Sequence, residues 1–386
     1  MLKSCKNSDV CKDFFNSERC QSGPDSPYWK EAQLIDTRND TELADISKIA
    51  NSTSQKTKKT IVVDAMSSSV TLEEELIAAK KLYMQSKSAV VEMFNQARMG
   101  RAIAVEQADE LVDNIRGSIA RHPSAFISLV RLKGADEYTY MHSVAVCALM
   151  IAIAHQLDFS AELIHQAGLA GLLHDVGKMA IPGAILNKPG KLTEEEFDVI
   201  RQHPQMGARM LRALVPVCEM VVDVCLHHHE KIDGSGYPDR LAGEQISLFS
   251  RMAAICDVYD AVTSDRPYNE AWGPAIAIQK MSEWKRHFDS SVFQAFVKSV
   301  GIYPVGSIVR LSSGDIGVVV EQSPNSLLTP KVKIFYSPAS NTYITPTLID
   351  IGESAQSEKI IERVLAQQYG FKNTETLWHG SPAQTK

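Results

Sequence analysis

The chain has 386 residues, 44% of them hydrophobic and 22% charged, with a formal net charge of −6. That size suits two or three domains with a true core, and the negative balance disfavours duplex nucleic acid and anionic membranes as partners. The most apolar run, 144–154, is far short of the ~20 residues of a bilayer crossing, and the polar N-terminus does not read as a signal peptide, so a cytoplasmic protein is expected.

Residues 1–26 read as an irregular tail carrying Cys5, Cys11 and Cys20. A small α/β unit is expected over 27–70, with short strands at 33–37 and 60–65 around a helix at 42–50. Helical patterning follows over 71–125, expected to act as a linker. Its first helix, over 71–99, opens with Glu73, Glu74 and Glu75 where the helix dipole favours carboxylates, and is long enough to lie along a second copy in a homodimer. From 126 to 300 the pattern is helical throughout, broken at Pro182-Gly183, Lys188-Pro189-Gly190 and 233–238. Cys147, Cys218, Cys225 and Cys256 sit in apolar helical stretches there and read as small core residues. The period then changes. Segments 307–311, 316–322 and 331–336 are β-branched or alternating, with Ser313-Gly314-Asp315 as a hairpin turn, so 301–352 is expected to be a small β module. An amphipathic helix over 357–369 and a tail complete 353–386. The fold class is therefore mainly α: an all-helical domain with a small α/β unit before it and a small β module after it.

Nine of the eleven histidines fall between His142 and His287. A single histidine on an apolar helix is usually a core residue with one hydrogen bond, and His155 and His165 are read so. The joint pattern of His142, His174-Asp175, His203, the run His227-His228-His229-Glu230, and Asp257 differs. His174-Asp175 ends the apolar stretch 167–173, and Asp257 follows the apolar stretch 252–256. Burying such groups is costly unless they are compensated, and a shared cation compensates several at once. Imidazole with carboxylate is the ligand set of Fe, Mn, Zn or Ni rather than Mg or Ca. About seven ligands are too many for one ion and suit two, with a carboxylate such as Asp175 between them.

The segment His174-Asp175-Val176-Gly177-Lys178 resembles the H-D-x-G-K signature of the HD phosphohydrolase superfamily. The segment from His228 through Asp233, Gly234, Ser235, Gly236, Tyr237 and Pro238 resembles the H-H-E-x-x-D-G-x-G-Y-P signature of HD-GYP phosphodiesterases. Residues 181–192 and Asp257-Val258-Tyr259-Asp260-Ala261 match as well, and the resemblance covers roughly 136–300. It implies a metal-dependent phosphodiesterase acting on cyclic di-GMP, or in some members cyclic GMP-AMP, and giving a linear dinucleotide or GMP. It also implies two divalent metals, iron or manganese first, with nickel and zinc as alternatives.

Carried over by position, the metal ligands are His142, His174, Asp175, His203, His228, His229 and Asp257, with His227 outside the pair. Members holding a third metal use a glutamate four residues before the first histidine, where this chain has Tyr138, so two ions are expected. Asp175 and Lys178 are the expected catalytic residues. Lys178 lies one helical turn beyond Asp175, as a phosphate clamp. Arg266 resembles the family arginine that contacts the dinucleotide, while the lysine usual three positions later is Asn269 here. The loop of Asp233, Gly234, Gly236, Tyr237 and Pro238 is expected to place substrate and to meet partner proteins. Two other readings remain: a nucleotide phosphohydrolase of the wider superfamily, and a catalytically silent dinucleotide receptor.

Overall fold

The computed structural model describes residues 72–130, 138–188, 190–264, 271–284, 286–323, 326–353, 358–371 and 374–378. The expected α/β unit over 27–70, Arg266 and Asn269 lie outside these residues. Besides the single helical turn Gly183–Leu186, the helices are α1 (Leu72–Arg98), α2 (Val105–Arg121), α3 (Pro123–Leu129), α4 (Tyr138–Gln156), α5 (Ala161–Leu173), α6 (Glu194–Ile200), α7 (His203–Leu214), α8 (Glu219–His227), α9 (Leu248–Thr263), α10 (Pro274–Glu283) and α11 (Ser290–Val300). Five strands follow: β1 (Ile308–Leu311), β2 (Ile316–Glu321), β3 (Lys331–Ser337), β4 (Thr342–Asp350) and β5 (Ile360–Arg363). No helix among the described residues is long and apolar enough to cross a membrane.

Helix α4 is the hub. From Met141 to Ala154 every residue is buried, so this helix has no polar face and must be covered on all sides. Helices α5, α9 and α11 supply that cover. Burying each large aliphatic side chain is worth about 1.5–3 kcal/mol relative to leaving it in water, so α4 anchors the domain. The flanking helices begin at local stop signals. The Ser160 hydroxyl accepts from the Leu163 N–H at 3.4 Å at the start of α5, and Ser247 accepts from the Ser250 N–H at 3.1 Å at the start of α9. Asp289 caps α11 by accepting from the Ser291 and Val292 N–H groups, each at 2.9 Å. Thr193 and Glu196 form a reciprocal capping box at the start of α6.

Helices α1 and α2, in the stretch expected as a linker, pack into the same core together with α3. Val90, Phe94, Leu111, Val112, Ile115, Ile119 and Phe126 share one apolar cluster with α4 and α5. Glu75 fastens α1 to α2. Its carboxylate is 1% exposed and accepts from the Ser118 hydroxyl at 2.6 Å and from Arg121 Nε and Nη2 at 2.6 and 3.1 Å. Burial pushes this carboxyl up, but the bonds from Arg121 and Ser118 outweigh it and hold the group below its ordinary value. A depressed carboxylate contributes stability above its unfolded value and loses it as pH falls through the folded value. Glu75→Gln should therefore cost about 1–3 kcal/mol near neutrality, and the urea midpoints of variant and parent should converge as pH falls through and below the ordinary carboxylate range. A gap that stays constant across that range would contradict this account.

The strands form one antiparallel sheet in the order β4-β3-β2-β1-β5. Period-two alternation splits its side chains between two apolar clusters. Ile308, Ile316, Val318 and Phe335 go to one, and Val309, Leu311, Val319 and Val332 to the other. The sequence reading misses β4, whose Pro346 argues against a strand interior. The structure places β4 at the sheet edge, with an irregular register around Pro346 that needs no donor there. It also corrects the helix expected over 357–369. Ile360–Arg363 is β5, paired with β1, and only Ala366–Tyr369 turns, as a single 3₁₀ segment. The β-branched pair Ile360-Ile361 and a 2.9 Å ion pair from Arg310 to Glu362 across the strands favour pairing over the helical period.

Candidate metal centre

Seven side chains meet where α4, α5, α7, α8 and α9 converge. Helix α5 ends at Leu173, leaving His174 and Asp175 as its cap and the start of a 3₁₀ turn, Val176–Ala180. That turn packs directly on the beginning of α7, so His203, the first residue of α7, lies beside Asp175. His228 caps the C-terminal end of α8 and His229 follows it. His142 comes from the buried α4 and Asp257 from the middle of α9.

Hydrogen bonds set the orientation of four imidazoles. The Nδ1 atoms of His174 and His203 bond the carbonyls of Gly171 at 2.7 Å and Ile200 at 2.8 Å. His228 Nδ1 bonds the carbonyls of Val224 and Cys225 at 3.1 and 3.0 Å. His142 Nδ1 bonds Asp260 Oδ2 at 2.7 Å. Carbonyl oxygen can only accept, so Nδ1 of His174, His203 and His228 carries hydrogen and Nε2 keeps its lone pair when the ring is neutral. This outer tethering is how proteins aim histidine ligands at a metal.

The Nε2 atoms converge on Asp175. Its Oδ1 lies 3.3 Å from His203 Nε2 and 3.7 Å from His228 Nε2. Its Oδ2 lies 3.3 Å from His174 Nε2 and 3.5 Å from His142 Nε2. Asp257 joins from the other side, with Oδ1 3.0 Å from His142 Nε2 and Oδ2 3.5 Å from His229 Nδ1. Two groups have the compactness of ion sites, His203-His228-His229 and His142-His174-Asp175.

Three observations test the fit of a cation to these residues. His203 Nε2 and His228 Nε2 stand 3.3 Å apart, though each ring has already spent its hydrogen on a carbonyl. Two facing lone pairs repel unless a cation or an extra proton lies between them. Buried His174 Nε2 and Asp175 Oδ1 also have no hydrogen-bond partner, which is costly in a dry interior. The donors are imidazole nitrogen and carboxylate oxygen, the set suited to first-row transition metals. The residues fit.

Charge in the pocket agrees. Burial, and then the neighbouring His229, His174 and His203, hold His228 well below the usual histidine range. Burial presses His229 down to about 3 against the pull of Asp257. Both rings are therefore neutral and available as ligands at neutral pH. Burial opposes ionisation of Asp175 and Asp257. Lys178 and His174 overcome it at Asp175, and His142 and His229 at Asp257, so both stay well below the usual carboxylate range. His142 is raised: burial lowers it, but its bonds to Asp257 and Asp260 prevail.

Lys178 Nζ lies 2.5 Å from Asp175 Oδ2 and is partly exposed, at the open side of the cluster. His227 has both nitrogens committed elsewhere, to Asp223 at 2.7 Å and Asp239 at 3.1 Å. The glycine-rich loop closes over His229. A Cβ on Gly236 would fall 2.5 Å from Glu230 Cα and Lys231 N, so only glycine permits the loop to lie this close. Gly234 adopts φ +77, and Asp233 accepts from the Ser235 N–H at 2.9 Å rather than pairing with a basic side chain. Buried Glu230 accepts from the Asp239 N–H at 2.7 Å, just beyond Pro238. The Tyr237 ring is thereby laid against His229, with centroids 4.8 Å apart. Burial, then the carboxylates of Asp257 and Asp175, raise the Tyr237 phenol, so it remains neutral.

Sequence reasoning gave Asp260 no role, although it holds His142. Its spacing of three from Asp257 on one helix, with both buried, is the signal that could have found it.

The pattern of the HD domain family matches residues 115–292. Over its whole length the chain is 50% identical to a protein of Pseudomonas aeruginosa named as a cyclic di-GMP phosphodiesterase, covering 97% of that protein. It is 42% identical over 148 residues to a cyclic di-GMP phosphodiesterase response regulator of Xanthomonas campestris, covering 38% of this chain and 39% of that one. It is 36% identical over 170 residues to a 3'3'-cGAMP-specific phosphodiesterase of Vibrio cholerae, covering 42% of this chain and 38% of that one.

Proposed function

The chain belongs to the HD-GYP family of HD-domain phosphodiesterases, and from that membership we propose that it is a hydrolase that opens cyclic di-GMP at a centre of two transition-metal ions. The observation that carries this reading is the convergence of tethered imidazoles on Asp175 inside a buried pocket. His142, His174 and Asp175, with Asp257, would hold one ion. His203, His228 and His229 would hold the other, with Asp175 shared between them. Such a pair, when bound, polarises a phosphoryl oxygen and makes water acidic enough to attack at neutral pH.

The chain's own residues then have distinct tasks. The carbonyls behind His174, His203 and His228 fix the rings, so no reorganisation is needed when substrate arrives. Lys178 offers a cation at the open edge, where negative charge grows on the phosphate during cleavage. Tyr237 lies against His229, with Gly236 letting the loop approach closely, and limits water access on that side. Arg266 is assigned to the dinucleotide on the resemblance of its sequence context.

The test is turnover by protein loaded anaerobically with Fe²⁺ or Mn²⁺, offered cyclic di-GMP, cyclic GMP-AMP and simple nucleotides in parallel. Opening of cyclic di-GMP, abolished by a chelator, is the expected result. Preference for cyclic GMP-AMP would change the substrate and keep the chemistry. Tight binding of cyclic di-GMP with no product from metal-loaded protein would favour the receptor. All seven candidate ligand residues are present, six of them buried, and keeping such buried polar groups has no advantage for a silent protein.

A further inference from the structure

We infer that Arg201, at the end of α6, holds the phosphate of the cyclic dinucleotide that is not being cut. This rests on the reading of the substrate just given. A cyclic dinucleotide carries two phosphodiesters in one ring, and only one can lie at the metal-binding cluster at a time. The other must sit further out, still charged and in need of a partner.

The cluster leads outward through a row of ring contacts. The Tyr237 ring lies against His229 with centroids 4.8 Å apart. The Arg201 guanidinium carbon lies 5.9 Å from the centre of the Tyr237 ring and 4.4 Å from that of Phe197. Arg201 is thus separated from the cluster by one aromatic ring, on the outward side of His229.

The nearby cations differ in how free they are. Lys178 is bound to Asp175 and belongs with the phosphate being cut. Lys188 clamps Glu196 with bonds of 2.8 and 2.6 Å. Arg201 has a single ion-pair partner among the described residues, Asp198 at 3.2 Å, and both members of that pair are exposed. Such a pair is worth little and is readily exchanged for a dianionic ligand. Phe197 and Tyr237 are uncharged rings that compete for none of its charge, so its N–H donors beyond the Asp198 bond can take a phosphate oxygen pair.

The experiment compares Arg201→Gln with the parent, both metal-loaded, on cyclic di-GMP and on bis(p-nitrophenyl) phosphate, a diester with no second phosphate. Arg201→Gln should raise KM for cyclic di-GMP about tenfold while changing kcat less than about twofold. The loss in kcat/KM should be at least about fivefold larger on cyclic di-GMP than on the simple diester, and should shrink as ionic strength rises. Arg201→Lys keeps the charge without the planar fork and should fall between the two, and it replaces the glutamine variant if that one fails to fold. An unchanged KM, or equal losses on both substrates, overturns the role of Arg201. A parent enzyme that cuts the simple diester and not the cyclic dinucleotide overturns the substrate reading itself, and the inference with it.

Discussion

Asp175→Asn should lower turnover of cyclic di-GMP by about 10³-fold or more while leaving the protein folded. Asp175 faces four of the histidines, two in each group, where Asp257 faces one in each. One oxygen lies 3.3 Å from His203 Nε2, and the other lies 3.3 and 3.5 Å from His174 and His142. An asparagine of the same shape removes the negative charge and turns one of those oxygens into a donor amide. A donor aimed at lone pairs held for a cation competes with that cation. Loss of one preorganised catalytic group costs about 10²–10³ in rate, and Asp175 serves both halves of the site, so the upper end or beyond is expected. Folding should survive. The amide is isosteric, and the lysine it leaves behind, Lys178, is 21% exposed and can be solvated. Metal content by elemental analysis, turnover and the circular dichroism melt check this together. An Asp175→Asn protein that retained two ions and parental turnover would remove Asp175 from the centre of the argument.

How much of this was legible in the sequence depends on whether the information is local. His174-Asp175, His228-His229 and the loop from Asp233 to Pro238 announce themselves because their spacing is short and their chemistry unusual. His142 and His203 could be placed only through family resemblance. Nothing in their own segments says that α4 and α7 bring them to the same carboxylate, Asp175, and that convergence is a packing event. Asp260 went unassigned for the same reason: its value lies in a 2.7 Å bond to a ring 118 positions earlier in the chain. Arg201 reads from sequence as one more surface cation, and only its place beside the Tyr237 ring sets it apart. The errors in the β module have the same origin. Ser357–Tyr369 carries a helical period, yet Ile360–Arg363 finds β1 waiting with an unpaired edge, and the ladder wins. Pro346 is tolerable because β4 has a free side, a property of the sheet and not of the strand.

Gly177 shows what the third fixed position of the H-D-x-G-K segment is for. Its φ is not in the left-handed region, so backbone freedom is not the reason for glycine. A Cβ there would fall 1.9 Å from the His203 carbonyl oxygen, 2.5 Å from Gly207 N and 2.9 Å from Gly207 Cα. All three are backbone atoms of α7, and none can swing aside as a flexible side chain would. Gly207 is constrained in turn, because its own Cβ would meet Cys225 Sγ of α8 at 2.5 Å. Gly177→Ala must therefore push the turn that carries Asp175 away from the helix that begins with His203. Overpacking a well-filled contact costs about 1–3 kcal/mol, and a clash with immovable backbone belongs at or above the top of that range. The expected result is a fall in stability of about 3 kcal/mol or more, together with weaker metal binding, because the 3.3 Å approach of Asp175 Oδ1 to His203 Nε2 opens. Gly183→Ala supplies the contrast: its Cβ would meet only Asn187 Nδ2, at 3.9 Å, so it should be neutral or slightly stabilising in its helical turn. Urea denaturation and metal titration of the two variants decide the matter. If Gly177→Ala matched Gly183→Ala in both, the close crossing of the turn over α7 could not be what joins the two halves of the site.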